Sequence, residues 1–221
     1  MPGQALRTGS RREDIILRYI TGKDVLDLGG VDHYALREKI ASDIWLHALI
    51  ANNAHSCLGV DILEDRVKEA VEHGFNFEVG NAEHLAYDQA YDVVVAGELV
   101  EHVYNAGLFL DSSWRALRPS GHLIITTPNN FALSRMLYAM LRGIEACHPE
   151  HTCYYSPQTL AYVVARHGFL VVETHVLARK ARHWTTEKLY DTIARWRPIL
   201  GEVLVLVLEK QADQHLYDNK W

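Results

Sequence analysis

The chain has 221 residues, of which 48% are hydrophobic and 23% are charged. This composition is ordinary for a globular protein, and the length predicts a single domain over residues 1–221 with a substantial core. The formal net charge is −6, and no basic run stands out apart from "RTGSRR". Since nucleic-acid binders usually carry a basic face, nucleic acid is not the expected partner.

Apolar strand-like runs and helix-like segments alternate along the first part of the chain. In order, they are a helix in "REDIILRYI", a strand in "DVLDL", a helix in "YALREKIASDIWLHALIANN", a strand in "SCLGVDI", a helix in "LEDRVKEAVEHG" and a short strand in "FNFEVGNAEHL". The second helix is predicted because Leu36, Ile40 and Ile44 recur at helical spacing. Gly74 is expected to end the third helix.

The alternation continues to the end of the chain. The predicted elements are a strand in "YDVVVAGE", a helix in "AGLFLDSSWRALRPSG", a strand in "HLIITTPN", a helix in "SPQTLAYVVARHG" and strands in "FLVVETHV" and "EVLVLVLEK". Pro119 and Gly121 are expected to end the first of these helices, and Pro128 the strand after it. Ser156 as a cap and Pro157 at the first helical position predict the start of the second helix.

Strands that alternate with helices predict an α/β fold, with a doubly wound, mostly parallel sheet and helices on both faces. Residues 129–155 interrupt the alternation. Ligands of such folds bind beyond the carboxyl ends of the strands, so this insert is expected to form a lid over the ligand site. Its part "FALSRMLYAMLRGIEA" is interpreted by default as a core helix, and a lid over an apolar or amphipathic acceptor is the alternative. The apolar residues concerned are Phe131, Leu133, Met136, Leu137, Met140 and Leu141.

Three features are predicted to meet at one end of the sheet. "DLGG" follows the first strand, where glycines let the backbone approach a ligand and a following helix offers N–H groups to a carboxylate. Asp61 closes the second strand, and a carboxylate there can accept hydrogen bonds from both hydroxyls of a ribose. "GNAEHL" follows the third strand and is placed to border a flat base.

From "VLDLGG" to "LRPSGHLIITTPN" the chain resembles the class I S-adenosylmethionine-dependent methyltransferases. The part from "YDVVVAGELVEHV" onwards is similar to the branch that contains the ubiquinone-biosynthesis O-methyltransferases and enzymes that methylate sugars and natural products. The resemblance implies a Rossmann-like methyltransferase fold with seven strands, the last of them antiparallel. It also implies S-adenosylmethionine as the cofactor.

The resemblance further implies which residues surround each part of the cofactor. The methionine end is expected against Asp27, Gly29 and Gly30, the ribose at Asp61, the adenine beside Ile62 and bordered by Asn81, Ala82 and Glu83, and the sulfonium above Gly97 and Glu98. The family pattern is acid-x-Gly-x-Gly-x-Gly, whereas Val31 and His33 replace the later glycines here. These bulkier residues are expected to narrow or reroute the turn. Of His33, Trp45 and His47, only His33 is expected to contact the acceptor, and Trp45 is expected in the core.

Acidic and imidazole side chains follow the fourth strand. Methyl transfer to oxygen needs a base or a metal to remove the hydroxyl proton. "GELVEHV" offers Glu98, Glu101 and His102, one turn apart if the loop is helical, and "CHPEHTC" adds His148 and His151. Glu98, Glu101, His102 and His151 are therefore the catalytic candidates. The same four predict a site for Mg²⁺, Mn²⁺ or Zn²⁺, and a metal-free base at His102 or His151 is the alternative.

The leading function is S-adenosylmethionine-dependent methylation of a hydroxyl on a small molecule, such as a sugar, a natural product or a quinol-like acceptor. The pattern Glu-x-x-Glu-His with a later His also resembles the small-RNA 3′-terminal 2′-O-methyltransferases, which supply the first alternative. An NAD(P)-binding oxidoreductase and a non-catalytic cofactor-binding partner are alternatives of other classes.

The three cysteines, Cys57, Cys147 and Cys153, form no CxxC pair, which predicts a reducing, cytoplasmic setting. The N-terminal sequence lacks the apolar core of a signal peptide, and no apolar run is long enough for a membrane span. The sequence gives no indication of the oligomeric state.

Overall fold

The computed structural model describes residues 6–8, 11–31, 36–41, 44–178, 192–193 and 195–212. The helices are α1 (Arg12–Ile20), α2 (Leu36–Ala41), α3 (Leu46–Asn53), α4 (Glu64–Glu72), α5 (Ala106–Ala116), α6 (Leu133–Arg142) and α7 (Pro157–Arg166), with a 3₁₀ helix at Pro198–Leu200. The strands are β1 (Asp24–Leu28), β2 (Ser56–Asp61), β3 (Phe77–Val79), β4 (Tyr91–Gly97), β5 (Leu117–Pro128), β6 (Phe169–Leu177) and β7 (Val203–Lys210). No helix in these ranges has both the length and the apolar character needed to cross a bilayer.

The strands of the described chain form one seven-stranded sheet in the order β3-β2-β1-β4-β5-β7-β6. Strands β1 to β5 pair in parallel, and β7 runs antiparallel to both β5 and β6. The strand order reverses between β1 and β4, which is where ligand-binding crevices open in doubly wound sheets. The predicted mostly parallel sheet with an antiparallel last strand is confirmed.

Helices cover both faces of the sheet, as predicted, and β4 shows the reason. Val94 and Ala96 belong to an apolar cluster with residues of α5 and α7, whereas Val93 and Val95 belong to a cluster with residues of α1 and α3. Successive side chains of a strand point to opposite faces. A central strand with helices on both sides must therefore be apolar at every position, which accounts for the run "VVVA".

The single helix predicted over "YALREKIASDIWLHALIANN" is wrong, because the chain forms two helices there, α2 and α3. Ile44 is 69% exposed, and Trp45 just before α3 has an extended backbone with φ −77° and ψ 124°. The Trp45 ring packs against Phe75 and Phe77, and its Nε1 donates to the carbonyl of Gly30 at 2.7 Å. Burying this large ring with its N–H satisfied outweighs the modest helix preference of the neighbouring residues.

The helix that Pro119 and Gly121 were expected to end already ends at Ala116, and β5 begins at Leu117. Pro119 and Gly121 therefore lie in the strand, contrary to the prediction. Tyr91 of β4 pairs with Leu117 of β5, whereas Val93 pairs with His122. Residues 118–121 of β5 therefore bulge out of the ladder. A bulge tolerates proline because the residue there need not donate a ladder hydrogen bond.

Helix α6 is exposed, so its default interpretation as a core helix is wrong. None of its side chains is buried, and those of Met140 and Leu141 are 78% and 82% exposed. The two ends of the insert 129–155 lie side by side, because the N–H of Asn130 donates to the carbonyl of Tyr155 at 2.9 Å. The insert thus begins and ends next to the carboxyl end of β5, and its role as a lid stays a prediction.

Candidate active site

The carboxyl ends of β1, β2 and β4 lie side by side at one edge of the sheet. β1 pairs in register with both neighbours up to Leu28, so Gly29, Asp61 and Gly97 share this edge. The turn after β3 lies at the same edge, because β3 pairs in parallel with β2. The topology therefore brings together the strand ends at which the cofactor is predicted.

The positions of Gly29 and Gly30 leave no room for a side chain. Gly29 has a φ of +70°, which favours glycine. A Cβ on Gly30 would lie only 2.6 Å from Oδ2 of Asp27. Val31, which replaces a later glycine of the family pattern, is buried in an apolar cluster. The turn therefore exposes bare backbone without the later glycines; His33 lies outside the described residues.

The Asp27 carboxylate is buried and paired with an imidazole. Nδ1 of His47 donates to Oδ2 of Asp27 at 2.8 Å, and both side chains are almost inaccessible. Burial, together with the negative charge of Asp27, raises the pKa of the nearby Cys57 thiol, so that thiol stays protonated at neutral pH. Sequence analysis missed the contact between Asp27 and His47, because it depends on the break between α2 and α3.

Asp61 is buried and is oriented by backbone donors. The N–H of Val31 donates to its Oδ2 at 3.3 Å and the N–H of Leu63 to its Oδ1 at 3.0 Å. A carboxylate oxygen can accept more than one hydrogen bond, so an oriented carboxylate can also receive a ribose hydroxyl. The side chain of Ile62 is 65% exposed and is available to a flat base.

Asn81, Ala82 and Glu83 form the turn that follows β3. Oδ1 of Asn81 accepts from the N–H of Glu83 at 2.9 Å, and Ala82 packs half-buried against the core. Oε1 of Glu83 accepts from the N–H groups of Tyr104 and Asn105 at 2.8 and 3.0 Å. Glu83 therefore ties this turn to the start of α5, a contact that the sequence analysis did not include.

Glu98 follows β4 in a conformation that is uncommon for a residue with a side chain. Its φ is +55°. Its Oε1 accepts from Oγ1 of Thr126 at 2.9 Å, and its N–H donates to the Thr126 carbonyl at 2.9 Å. Burial raises the pKa of Glu98. Backbone strain and a buried acid at the end of a strand are typical of functional sites.

Glu101, His102 and His151 form a compact cluster. One ligand atom from each lies within 4.8 Å of the other two, and the His102 and His151 rings are 4.6 Å apart. Oε1 of Glu101 and Nδ1 of His151 are buried without a hydrogen-bond partner in the described chain. Glu98, the fourth predicted ligand, is not part of this group. The loop is a tight turn rather than a helix, since the N–H of His102 donates to the carbonyl of Leu99.

Two threonines hold this cluster in place. Oγ1 of Thr127 donates to Oε2 of Glu101 at 2.8 Å. The N–H and Oγ1 of Thr152 both donate to the Glu101 carbonyl, at 2.8 and 3.0 Å. Thr152 therefore fixes the insert to the loop after β4 and brings His151 to Glu101. Sequence analysis missed both threonines, and the position of Thr152 directly after His151 was the only signal.

The surroundings of the cluster shift the pKa values of its members in opposite directions. Burial, reinforced by the charge of Glu98, raises the pKa of Glu101 to about 8. Burial, followed by the charges of His102 and His148, lowers the pKa of His151 to about 4. At neutral pH, His151 is therefore an unprotonated base, while Glu101 mostly retains its proton.

A cavity of about 160 Å³ lies against α6, near this cluster. It is lined by Asn130, Arg135, Met136, Ala139, Glu145, Ala146 and Tyr154. The Arg135 guanidinium lies 4.4 Å from the centre of the Tyr154 ring, which is itself 5.3 Å from the His151 ring. The cavity thus combines charged, aromatic and apolar groups beside the candidate base.

Comparisons with known proteins identify the family to which the chain belongs. The family model described as "Methyltransferase domain" matches residues 10–174. The mitochondrial ubiquinone biosynthesis O-methyltransferase of Rattus norvegicus is 32% identical over 135 residues, which cover 54% of this chain and 39% of the relative. A probable S-adenosylmethionine-dependent methyltransferase of Mycolicibacterium smegmatis is 26% identical over 171 residues, 74% of this chain and 60% of the relative. The chain therefore spans 39% and 60% of the length of these two relatives, less than two thirds of each.

Solved structures share the fold at low sequence identity. An S-adenosylmethionine-dependent methyltransferase of Archaeoglobus fulgidus has a TM-score of 0.60 at 20% identity, over 90% of this chain and 91% of that one. A second, from Mesorhizobium loti, has a TM-score of 0.58 at 16% identity, over 90% and 97%. Together with the family model over most of the sequence, they show that the chain belongs to the methyltransferase-domain family and has the fold of the S-adenosylmethionine-dependent methyltransferases.

Proposed function

We propose that the chain is a single-domain, S-adenosylmethionine-dependent O-methyltransferase that acts on a small molecule. When bound, the cofactor supplies an electrophilic methyl group on its sulfonium. Bare backbone at the "DLGG" turn and the oriented Asp61 carboxylate support its fit to this edge of the sheet. The proposed contacts are Asp27, Gly29 and Gly30 for the methionine end, Asp61 for the ribose, Ile62, Asn81, Ala82 and Glu83 for the adenine, and Gly97 beside the sulfur.

The cluster of Glu101, His102 and His151 is the observation that carries the choice of a hydroxyl as acceptor. A hydroxyl becomes an effective nucleophile only when its proton is removed, whereas an unprotonated amine needs no such help. His151, with its pKa lowered to about 4, is unprotonated at neutral pH and can therefore accept that proton. The ubiquinone biosynthesis O-methyltransferases among the relatives support the same chemistry.

The same cluster suits a divalent cation. One carboxylate and two imidazoles form the mixed oxygen and nitrogen set that Mg²⁺, Mn²⁺ or Zn²⁺ accepts. The buried, unpartnered atoms of Glu101 and His151 support a ligand at this point, since buried polar groups are rarely left unpaired. A cation there would lower the pKa of an acceptor hydroxyl. Glu98 stays a predicted fourth ligand, and a metal-free His102 or His151 base is the competing mechanism.

We further propose that residues 129–155 cover the acceptor. The cavity against α6 offers the Arg135 and Tyr154 side chains next to that of Met136. The apolar side chains that α6 exposes would be covered by an apolar or amphipathic acceptor, such as a quinol-like molecule. This arrangement would place the acceptor beside His151 and away from bulk water.

The cofactor assignment is tested by calorimetric titration of the purified chain with S-adenosylmethionine, S-adenosylhomocysteine and NAD. We expect the first two to bind and NAD not to bind. Asp61→Ala should weaken the binding of S-adenosylmethionine at least about tenfold, because the ribose hydroxyls lose a charged hydrogen-bond acceptor. Asp65→Ala, which removes an exposed acid from α4, should bind normally. Binding of NAD alone, or unchanged affinity in Asp61→Ala, would contradict the assignment.

The acceptor class is tested by following release of S-adenosylhomocysteine with a panel of catechols, sugars and an RNA 3′ end. We expect turnover with a small hydroxyl compound. Preferential methylation of the RNA 3′ end would favour the RNA 2′-O-methyltransferase alternative. Cofactor binding with no turnover of any acceptor would favour the non-catalytic alternative.

A further inference from the structure

The amino-terminal end of α3 makes two hydrogen bonds to the glycine turn after β1. Nδ1 of His47 donates to Oδ2 of Asp27 at 2.8 Å, and Nε1 of Trp45 donates to the carbonyl of Gly30 at 2.7 Å. The two acceptors lie on either side of Gly29, so both ends of the turn are held from one short helix. A carboxylate can only accept, so Nδ1 of His47 carries the proton in this contact.

An aromatic cluster keeps both donors in place. The His47 ring lies 4.1 Å from that of Phe77, and the Trp45 ring is stacked on Phe77 at 5.8 Å and meets Phe75 edge-on at 4.6 Å. A Cβ on Gly30 would contact both the ring of Phe77, at 3.1 Å, and the Asp27 oxygen that His47 holds, at 2.6 Å. The backbone of the turn therefore packs directly on the paired carboxylate, and movement of His47 would be transmitted to it.

We propose that Trp45 and His47 are positioning residues for the α-amino-acid end of the cofactor. The inference rests on the proposed function, because it deepens the role given to Asp27, Gly29 and Gly30. An oriented carboxylate and an oriented carbonyl suit the ammonium group of an amino acid, and each oxygen retains acceptor capacity beyond its bond to α3. Val31 and His33 replace the later glycines of the family pattern in this chain. Trp45 and His47 constrain the turn that precedes these two positions.

Two ligands that differ only at the amino-acid end test this role. S-adenosylhomocysteine carries that end, whereas 5′-deoxy-5′-methylthioadenosine has the same adenosine and sulfur without it. Trp45→Phe removes the indole N–H together with one of the two fused rings, and His47→Leu removes the imidazole. In calorimetric titrations, each variant should bind S-adenosylhomocysteine about tenfold more weakly and bind methylthioadenosine as the wild type does.

Two further variants separate positioning from packing. His47→Asn keeps an N–H near the position of Nδ1 and should recover most of the affinity lost in His47→Leu. Phe75→Leu loosens the same aromatic cluster without removing a hydrogen bond to the turn. It should therefore not weaken the binding of S-adenosylhomocysteine more than that of methylthioadenosine. If His47→Leu fails to fold in a thermal melt, Trp45→Phe still decides the question.

The outcomes distinguish the inference from the proposed function. Equal weakening of both ligands in Trp45→Phe, no weakening of either, or a selective loss in Phe75→Leu would overturn the positioning role while leaving the methyltransferase assignment intact. A wild-type chain that binds neither ligand would overturn the proposed function itself. Selective loss in Trp45→Phe, with recovery in His47→Asn, supports the inference.

Discussion

Two buried glutamates show how neighbouring groups decide what an acid can do. Burial alone would raise the pKa of Glu173, but hydrogen bonds from His175 and Arg18 outweigh it and lower the pKa to about 2. Glu101 has fewer such donors and lies near Glu98, so its pKa rises to about 8. The satisfied carboxylate of Glu173 therefore has a structural role, whereas Glu101 retains an unpartnered oxygen for a ligand.

Glu173→Gln is expected to lower the free energy of unfolding near pH 7 by about 2 kcal/mol. The native pKa lies below the ordinary value of 4.5, so the unfolded chain binds more protons between these two values. The stabilisation from Glu173 is therefore complete above about pH 4.5 and is lost as the pH falls towards 2. The free energy of unfolding, measured by urea titration between about pH 6 and pH 3, should fall more steeply with decreasing pH for the wild type than for Glu173→Gln. Glu72→Gln, an exposed control, should follow the wild type; parallel curves for Glu173→Gln would contradict the prediction.

Elements with local signals were predictable from the sequence, and those decided by distant contacts were not. Helix α7 begins as predicted because Oγ of Ser156 accepts from the N–H of Thr159 at 3.1 Å, within one turn. The break between α2 and α3 instead depends on packing of Trp45 against Phe75 and Phe77. Helical spacing of apolar residues carries no information about such a partner, because it arrives from another element of the chain.

The apolar residues of α6 recur at the spacing of an amphipathic helix, yet none of its side chains is buried. An apolar face that packs on no core supports a binding role. Replacing Met140 and Leu141 by Ser should change the free energy of unfolding by no more than about 0.5 kcal/mol, since both side chains are already exposed. If residues 129–155 cover the acceptor as proposed, the KM for an amphipathic acceptor should rise several-fold, because the insert loses apolar contact area, and the affinity for S-adenosylmethionine should stay unchanged. Val71→Ser, which removes an exposed apolar side chain from α4, serves as the control. An unchanged KM in the α6 variant would argue against the lid.

At the scale of the whole molecule, the parallel sheet explains which site residues were predictable. Gly29, Asp61 and Glu98 each lie at or directly after a strand end, and parallel strands bring their carboxyl ends to one edge of the sheet. Positions decided by contacts between distant segments were missed. Thr127 in β5 and Thr152 in the insert each reach Glu101 through a hydrogen bond between segments that are far apart in sequence. The cofactor edge could therefore be inferred from strand order, whereas the contacts that orient its side chains required the fold.

The proposed cation site also predicts a link between cation binding and the stability of the whole chain. A cation that binds only the folded chain should raise the free energy of unfolding by about 2.7 kcal/mol at a hundred times its dissociation constant. Because the pKa of Glu101 is about 8, the cation must displace a proton below that pH, and its apparent affinity should fall by up to about tenfold per pH unit. Thermal unfolding with Mg²⁺, Mn²⁺ or Zn²⁺, compared with unfolding in EDTA, should therefore show a larger stabilisation near pH 8 than near pH 7.

Two histidine variants test where the cation binds. His151→Ala should abolish the stabilisation, whereas His55→Ala, which removes an exposed histidine before β2, should keep it. If none of the three cations stabilises the chain, His151 is left as a metal-free base.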